Sequence, residues 1–152
     1  MSGLDQHYSQ SEILATIEGI NYPKGGTNTG AALKRAKDLF DKSPRAGVPN
    51  IAIVITDGKS RDDISEPAQN LRDSGVTVFI VGVGKNYDLK ELQEMATDPD
   101  SQHVFKGEFD AISSQVESII DMACKGTVDI SSALFFNVPF LAMVKFGDGL
   151  FK

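Results

Sequence analysis

Ile51-Ala52-Ile53-Val54-Ile55-Thr56-Asp57-Gly58 opens with five apolar residues and closes on an acid and a glycine. The run shows no alternation of apolar and polar residues, which suits a strand buried on both faces of a parallel sheet. Val76-Thr77-Val78-Phe79-Ile80-Val81 is a second run of this kind, ended by Gly82-Val83-Gly84. Between the two, Ala68 and Leu71 fall on a helix that Ser65 can cap and Pro67 can help start. Strand, helix and strand of this composition predict a right-handed crossover. The fold class is therefore α/β, with a doubly wound, mostly parallel sheet.

The flanking sequence extends the same alternation. Upstream, Ser9 and Glu12 form a capping-box pair ahead of Ile13, Leu14, Ile17 and Ile20, predicting a helix over about Ser9–Glu18. The glycine-rich turn Pro23-Lys24-Gly25-Gly26-Thr27-Asn28-Thr29-Gly30 leads into a helix with Ala32, Leu33, Ala36, Leu39 and Phe40 on one face. Downstream, Asp88 and Glu91 make another cap pair, and His103-Val104-Phe105 reads as a short third strand. Phe109, Ile112, Val116, Ile119, Ile120 and Ala123 then repeat at helical spacing. The alternation stops there. Residues 1–126 read as the domain, and residues 127–152 as an apolar tail outside it, with no period that assigns an element.

Composition narrows the function classes. The chain has 152 residues, enough for one domain with a core. Its 21 acids against 15 bases give a formal charge of -6, the wrong sign for a protein that tracks nucleic-acid phosphates. The N-terminus has no basic and apolar leader of the secretory type. The apolar stretch from Ala133 to Val144 is too short, and too interrupted by Asn137 and Pro139, to span a membrane. A lone cysteine, Cys124, is a buried hydrophobe, a free thiol or half of a bond to a partner elsewhere.

Two readings compete for the chemistry near Asp57. Gly58-Lys59-Ser60 matches the end of a phosphate-binding P-loop, but that loop needs a glycine five residues before Gly58, where the chain has Ile53 inside a strand. The P-loop reading fails. The second reading is a strand-end carboxylate for a divalent cation, since ligands of doubly wound sheets bind beyond the carboxyl ends of strands. Hydroxyls of the Gly25–Gly30 turn can reach the same cleft, and oxygen donors of this kind suit a hard ion such as Mg²⁺. The plainer alternatives are that Asp57 caps a turn before Gly58, and that Thr27 or Asn28 caps the following helix. Arg61-Asp62-Asp63 either lines the same face or forms a solvated loop. His7 and His103 stand far apart and do not suggest zinc. No Gly-x-Ser-x-Gly elbow and no serine–histidine motif points to a hydrolase.

Several segments, in order, carry a resemblance. Gly25-Gly26-Thr27-Asn28-Thr29-Gly30-Ala31-Ala32-Leu33 is similar to the Gly-Gly-x-Thr-x-Thr-Gly-x-Ala-Leu segment of von Willebrand factor type A domains, with one residue fewer before the first threonine. Ile53-Val54-Ile55-Thr56-Asp57-Gly58 resembles that family's strand ending in Thr-Asp-Gly, and Gly75 to Gly84 its next strand. Leu92, Met95-Ala96, Pro99, His103-Val104-Phe105 and Phe109 resemble the elements that follow. The set runs from about Leu4 to Lys125. Its wording around Asp57 and Asp62-Asp63 is nearest the extracellular matrix branch, which includes matrilins, cochlin and the A domains of non-fibrillar collagens.

The resemblance implies a non-enzymatic, secreted adhesion module that binds collagen or another matrix protein, with no nucleic acid and no membrane span. It implies a metal-ion-dependent adhesion site holding Mg²⁺, Mn²⁺ or Ca²⁺. Thr27 and Asp57 match two of its ligand positions, with Gly26, Asn28 and Gly58 as loop neighbours. The family's Asp-x-Ser-x-Ser loop and first strands have no counterpart upstream of Thr27, so the expected metal affinity is weak or absent. Asp129-Ile130-Ser131-Ser132-Ala133 echoes the missing motif only by coincidence. The missing strand leaves Ile51–Ile55 with an unpaired edge, to be covered by the tail from Thr127 or, as favoured here, by the remainder of a longer product. Cys124 reads, on the resemblance, as half of a disulfide whose partner lies upstream. The competing readings are an intracellular A domain used in complex assembly, or a non-functional gene fragment.

Overall fold

In chain order the elements are α1 (Thr29–Lys42), β1 (Asn50–Gly58), α2 (Ser65–Asp73), β2 (Val76–Asn86), α3 (Leu89–Met95), α4 (Asp100–His103), β3 (Val104–Gly107), a 3₁₀ turn (Phe109–Ala111) and β4 (Phe140–Val144). The computed structural model describes residues 9, 11, 12, 15, 18, 19, 26–42, 47, 49–111, 118, 119, 121 and 140–144, the last of these in backbone only. The sheet order is β3-β2-β1-β4, and every neighbouring pair is parallel.

The absence of alternation in β1 and β2 has the expected cause: both strands are covered on both faces. Ala52 and Val54 of β1, with Val76, Val78 and Ile80 of β2, pack against Leu33, Ala36 and Phe40 of α1, Ala68 and Leu71 of α2, and Leu92 and Met95 of α3. The intervening residues Ile51, Ile53, Phe79, Val81 and Val83 pack on the opposite face with Ile119. A strand sends successive side chains to opposite faces, so two apolar faces require an unbroken apolar run. With α1, α2 and α3 on one face and Ile119, itself helical, on the other, the parallel sheet makes this a doubly wound α/β fold.

Local signals set most of the boundaries. Ser9 and Glu12 form the reciprocal box: Ser9 N–H donates to Glu12 Oε2 at 2.7 Å, and Glu12 N–H to Ser9 Oγ at 3.4 Å. Ser11, Glu12, Ala15 and Glu18 behind it are helical. α2 stops where Gly75 takes φ of +81° and donates its N–H to the Arg72 carbonyl. Asp88 caps α3 by accepting from Lys90 N–H at 2.9 Å. Beyond the reach of β3, the free side of β2 is completed by Thr97. Its N–H donates to the Val78 carbonyl at 3.0 Å, and its hydroxyl accepts from Val78 N–H at 2.9 Å.

Four sequence expectations change. Ser65 does not cap α2: Ile64 holds that position with no side-chain bond, and the Ser65 hydroxyl donates to Glu94 instead. Glu91 does not close a box with Asp88 but accepts from the Ser60 N–H at 2.8 Å. His103 ends α4 rather than starting the third strand. The tail does supply an element. β4 runs parallel to β1, from Phe140 opposite Ile51 to Val144 opposite Ile55, so the β1 edge is paired by the tail, the less favoured of the two covers expected for it. No helix among the described residues is long and apolar enough to cross a membrane.

Candidate functional site

β1 changes character at its carboxyl end. Thr56 is buried, and its hydroxyl donates to the Gly58 carbonyl at 3.0 Å, which curls the strand end into a turn. The pairing with β2 slips there, from Thr56 opposite Gly82 to Gly58 opposite Asn86. Asp57 sits in this irregularity, half-buried. The slip falls at Asp57, the ladder resumes at Gly58, and the loop begins after that residue.

The threonine loop lies against this turn. Thr27 is only 5% exposed, and its Oγ1 lies 3.9 Å from where a side chain on Gly58 would begin. The two candidate ligand segments, some thirty positions apart in the chain, thus meet at the carboxyl end of β1. Gly26 and Asn28 flank Thr27, with Asn28 exposed. Of the other sequence candidates, His103 packs against Phe79 with the rings tilted by 47° and their centroids 4.8 Å apart, and its Nδ1 lies 3.1 Å from the Pro99 carbonyl. It does not join the cleft. Cys124, His7 and the Asp129–Ala133 echo lie outside the described residues.

What joins the two loops is a set of hydrogen bonds in which Ser60 and Asp62 accept and Arg61 donates. The first N–H groups of a helix have no partner within the helix. In α1, Thr29 N–H donates to Ser60 Oγ at 3.1 Å, Gly30 N–H to Asp62 Oδ1 at 3.0 Å, and Ala31 N–H to Asp62 Oδ2 at 2.8 Å. Ser60 Oγ in turn donates to Asp62 Oδ1 at 2.7 Å. One residue earlier, Arg61 N–H donates to the Thr27 carbonyl at 2.7 Å. α1 carries no acid in its own first turn; Asp62 supplies that charge from across the cleft, where it meets the positive end of the helix. Gly30 makes the approach possible, since a Cβ there would lie 1.9 Å from the Asp63 carbonyl oxygen.

Burial pushes the Asp62 carboxyl up, but its bonds from Ser60, Ala31 and Gly30 together outweigh that and hold it below the ordinary carboxylate range. On the outer side of the loop Lys59 pairs with Asp88 at 3.1 Å. The hydrogen bond from Lys59 lowers Asp88, and the one to Asp88 raises Lys59. Sequence reasoning treated residues 61–63 as a possible solvated loop and did not see the clasp. The only local signal was negative: a helix start with no acid of its own.

Threonine hydroxyl and aspartate carboxylate are hard oxygen donors, which suit Mg²⁺, Mn²⁺ or Ca²⁺. Two such donors are fewer than the roughly six such ions take. Among the described residues, no group of three or more His, Cys, Asp or Glu side chains could hold a metal ion. The pair fits part of a cation site whose remaining positions water, a ligand or other residues would fill.

Parallel strands under helices on both faces, with a Thr loop and a Thr-Asp-Gly turn meeting at a strand end, define the class. The chain belongs to the von Willebrand factor type A domain family, whose model matches residues 2–119. Among curated relatives it is 41% identical over 127 residues to the human collagen alpha-1(XXI) chain, covering 82% of this chain and 13% of that one. It is 34% identical over 131 residues to mouse matrilin-2, covering 80% of this chain and 13% of that one. The chain thus spans well under a fifth of these relatives. Among solved structures, proximal thread matrix protein 1 from the mussel byssus, with its MIDAS motif occupied by zinc, superposes with a TM-score of 0.73. That match is 28% identical and covers 80% of this chain and 32% of the mussel chain. The type A domain from Catenulispora acidiphila gives a TM-score of 0.57 at 25% identity, over 78% of this chain and 28% of that one.

Proposed function

We propose that this chain is a protein-binding adhesion module of the extracellular matrix type. It would recognise collagen or another matrix protein at the carboxyl end of β1, by binding alone and without making or breaking covalent bonds. Thr27 and Asp57 are the oxygen ligands we assign to a divalent cation, with Gly26, Asn28 and Gly58 shaping the rim. The cation would supply a positive centre that a carboxylate of the partner protein can approach. The residues of this chain hold the two oxygens, keep Thr27 out of bulk water and leave the front of the cleft to the ligand. The observation that carries this reading is the meeting of the Thr27 loop with the Asp57–Gly58 turn. Support for the matrix assignment, and for an extracellular location, comes from relatives that are collagens and a matrilin.

Two ligands make a shallow site. Isothermal titration should give Mg²⁺ affinity on the order of 1 mM or weaker, at the low end for extracellular modules. Micromolar affinity abolished by Asp57→Ala would overturn the two-ligand account. Adhesion itself is tested on immobilised triple-helical collagen and on matrix extracts. Binding should require Mg²⁺ or Mn²⁺, vanish with EDTA, and weaken about tenfold or more in Asp57→Ala. Binding that ignores both EDTA and Asp57→Ala would sink the metal-dependent mechanism.

A further inference from the structure

We propose that Asp62 is the positioning residue for Thr27: its carboxylate, acting through the first turn of α1, sets the spacing between Thr27 and the Asp57–Gly58 turn. The inference rests on the reading of Thr27 and Asp57 as cation ligands, and it adds the residue that presets their geometry. Thr27 precedes α1 by two residues, so wherever the helix start goes, Thr27 follows. That start is held from the far side of the cleft. Two of its N–H groups end on Asp62, and a third ends on Ser60 Oγ, whose own hydrogen points to Asp62 Oδ1. The Asp62 side chain therefore fixes three backbone groups, two directly and one through Ser60.

The other end of the clasp follows β1 in the chain and is anchored on α3. Ser60 and Asp62 follow Asp57 by three and five positions, and Ser60 N–H is tied to Glu91 at 2.8 Å. Arg61 N–H holds the Thr27 carbonyl directly at 2.7 Å. Asp62 adds the hold on the helix start that fixes the direction in which Thr27 leaves α1, and Thr27 is 5% exposed behind both. Gly30 reports the same contact from the opposite direction. The chain closes so tightly that a methyl group at that position would strike the Asp63 carbonyl. Asp62→Ala and Gly30→Ala should therefore produce the same opening by unrelated means, one by removing the acceptor and one by wedging the loops apart.

The test uses the full chain, isotopically labelled, and reads geometry before metal. In metal-free wild type, the Thr27 methyl group and the Gly58 α-protons should give a nuclear Overhauser effect. It should be lost in Asp62→Ala and in Gly30→Ala, and kept at reduced strength in Asp62→Asn, which retains one acceptor oxygen. Leu71→Ala, which weakens the core away from the cleft, should leave it intact, so a general loss of stability is separated from positioning. Titration with Mn²⁺ alone should broaden the Thr27 and Gly58 amides, with a midpoint about tenfold or more higher in Asp62→Ala. If Asp62→Ala keeps the contact and a Mn²⁺ midpoint within about twofold of wild type, the proposal is overturned and Asp62 is only a helix cap. If wild type shows no Mn²⁺ broadening at these amides, the cation reading fails, while the metal-free contact still decides whether Asp62 positions Thr27. Should Asp62→Ala not fold, Asp62→Asn and Gly30→Ala carry the same comparison.

Discussion

β1 has two neighbours that were acquired in different ways. On one side lies β2, delivered by the crossover through α2 within some twenty residues and paired from Asn50 to the strand end. On the other lies β4, which returns from the far end of the chain and pairs over Ile51–Ile55. The first pairing is reinforced by a helix whose Ala68 and Leu71 are wholly buried against the sheet. The second closes a much longer loop, and loop-closure entropy is paid in full before any contact repays it. The comparison teaches that the two sides of one strand can carry unequal shares of stability. The β1–β2 unit is a local product, whereas the β1–β4 pairing depends on a distant segment.

The strongest way to sharpen that contrast is to damage the crossover. Leu71→Ala should cost about 2–5 kcal/mol, the usual range for a buried leucine, and urea unfolding should register the loss as a global shift in midpoint. Next in size, proline at Leu141 or at Ala142 tests β4. Alternate residues of a parallel strand bond to a given neighbour, so one of the two must remove a ladder N–H. The expected cost is about 1–3 kcal/mol, with faster amide exchange along Ile51–Ile55 and little change in α1. A proline variant as destabilised as Leu71→Ala would break the comparison, because β4 would then be integral to the core.

The smallest effect lies in the loop after β1 and is lost in acid. Because the folded state holds Asp62 below its ordinary value of 3.8, its contribution is present above that value and is lost as pH falls through the lowered one. Wild type should therefore outlast Asp62→Asn in urea at neutral pH, and the gap should close below about pH 4. A gap unchanged down to about pH 2 would show that the carboxylate charge plays no part in the clasp.

Much of this molecule could be read from its one-dimensional pattern. The unbroken runs at Ile51 and Val76 announced strands covered on both faces, because only a doubly buried strand dispenses with polar alternation. Ser9 with Glu12, and Asp88 before Leu89, announced helix starts through bonds made within a few residues. The same reasoning failed at Ser65 and Glu91, whose side chains left their local caps for Glu94 and for the Ser60 N–H. A side chain that has both a near and a far partner is decided by packing, which sequence spacing does not encode. β4 was illegible for a related reason: a five-residue apolar segment after a proline has no period long enough to separate strand from helix or coil.

The candidate site divides along the same line. Thr27 and Asp57 were chosen from residue type, strand-end position and ordered resemblance, all of which are properties of the chain itself. The approach of Thr27 to Gly58, the burial of Thr27 and the bridge through Ser60, Arg61 and Asp62 arise only when α1 and the end of β1 are brought together. The sequence alone determined which elements could form, since helix and strand propensities and apolar periods act over a few residues. Tertiary structure decided what those elements share: the strand that completes the β1 edge, and the carboxylate that caps α1 from thirty residues away. Hydrogen bonds and buried contacts between distant segments depend on distance in space, and no local pattern carries that information.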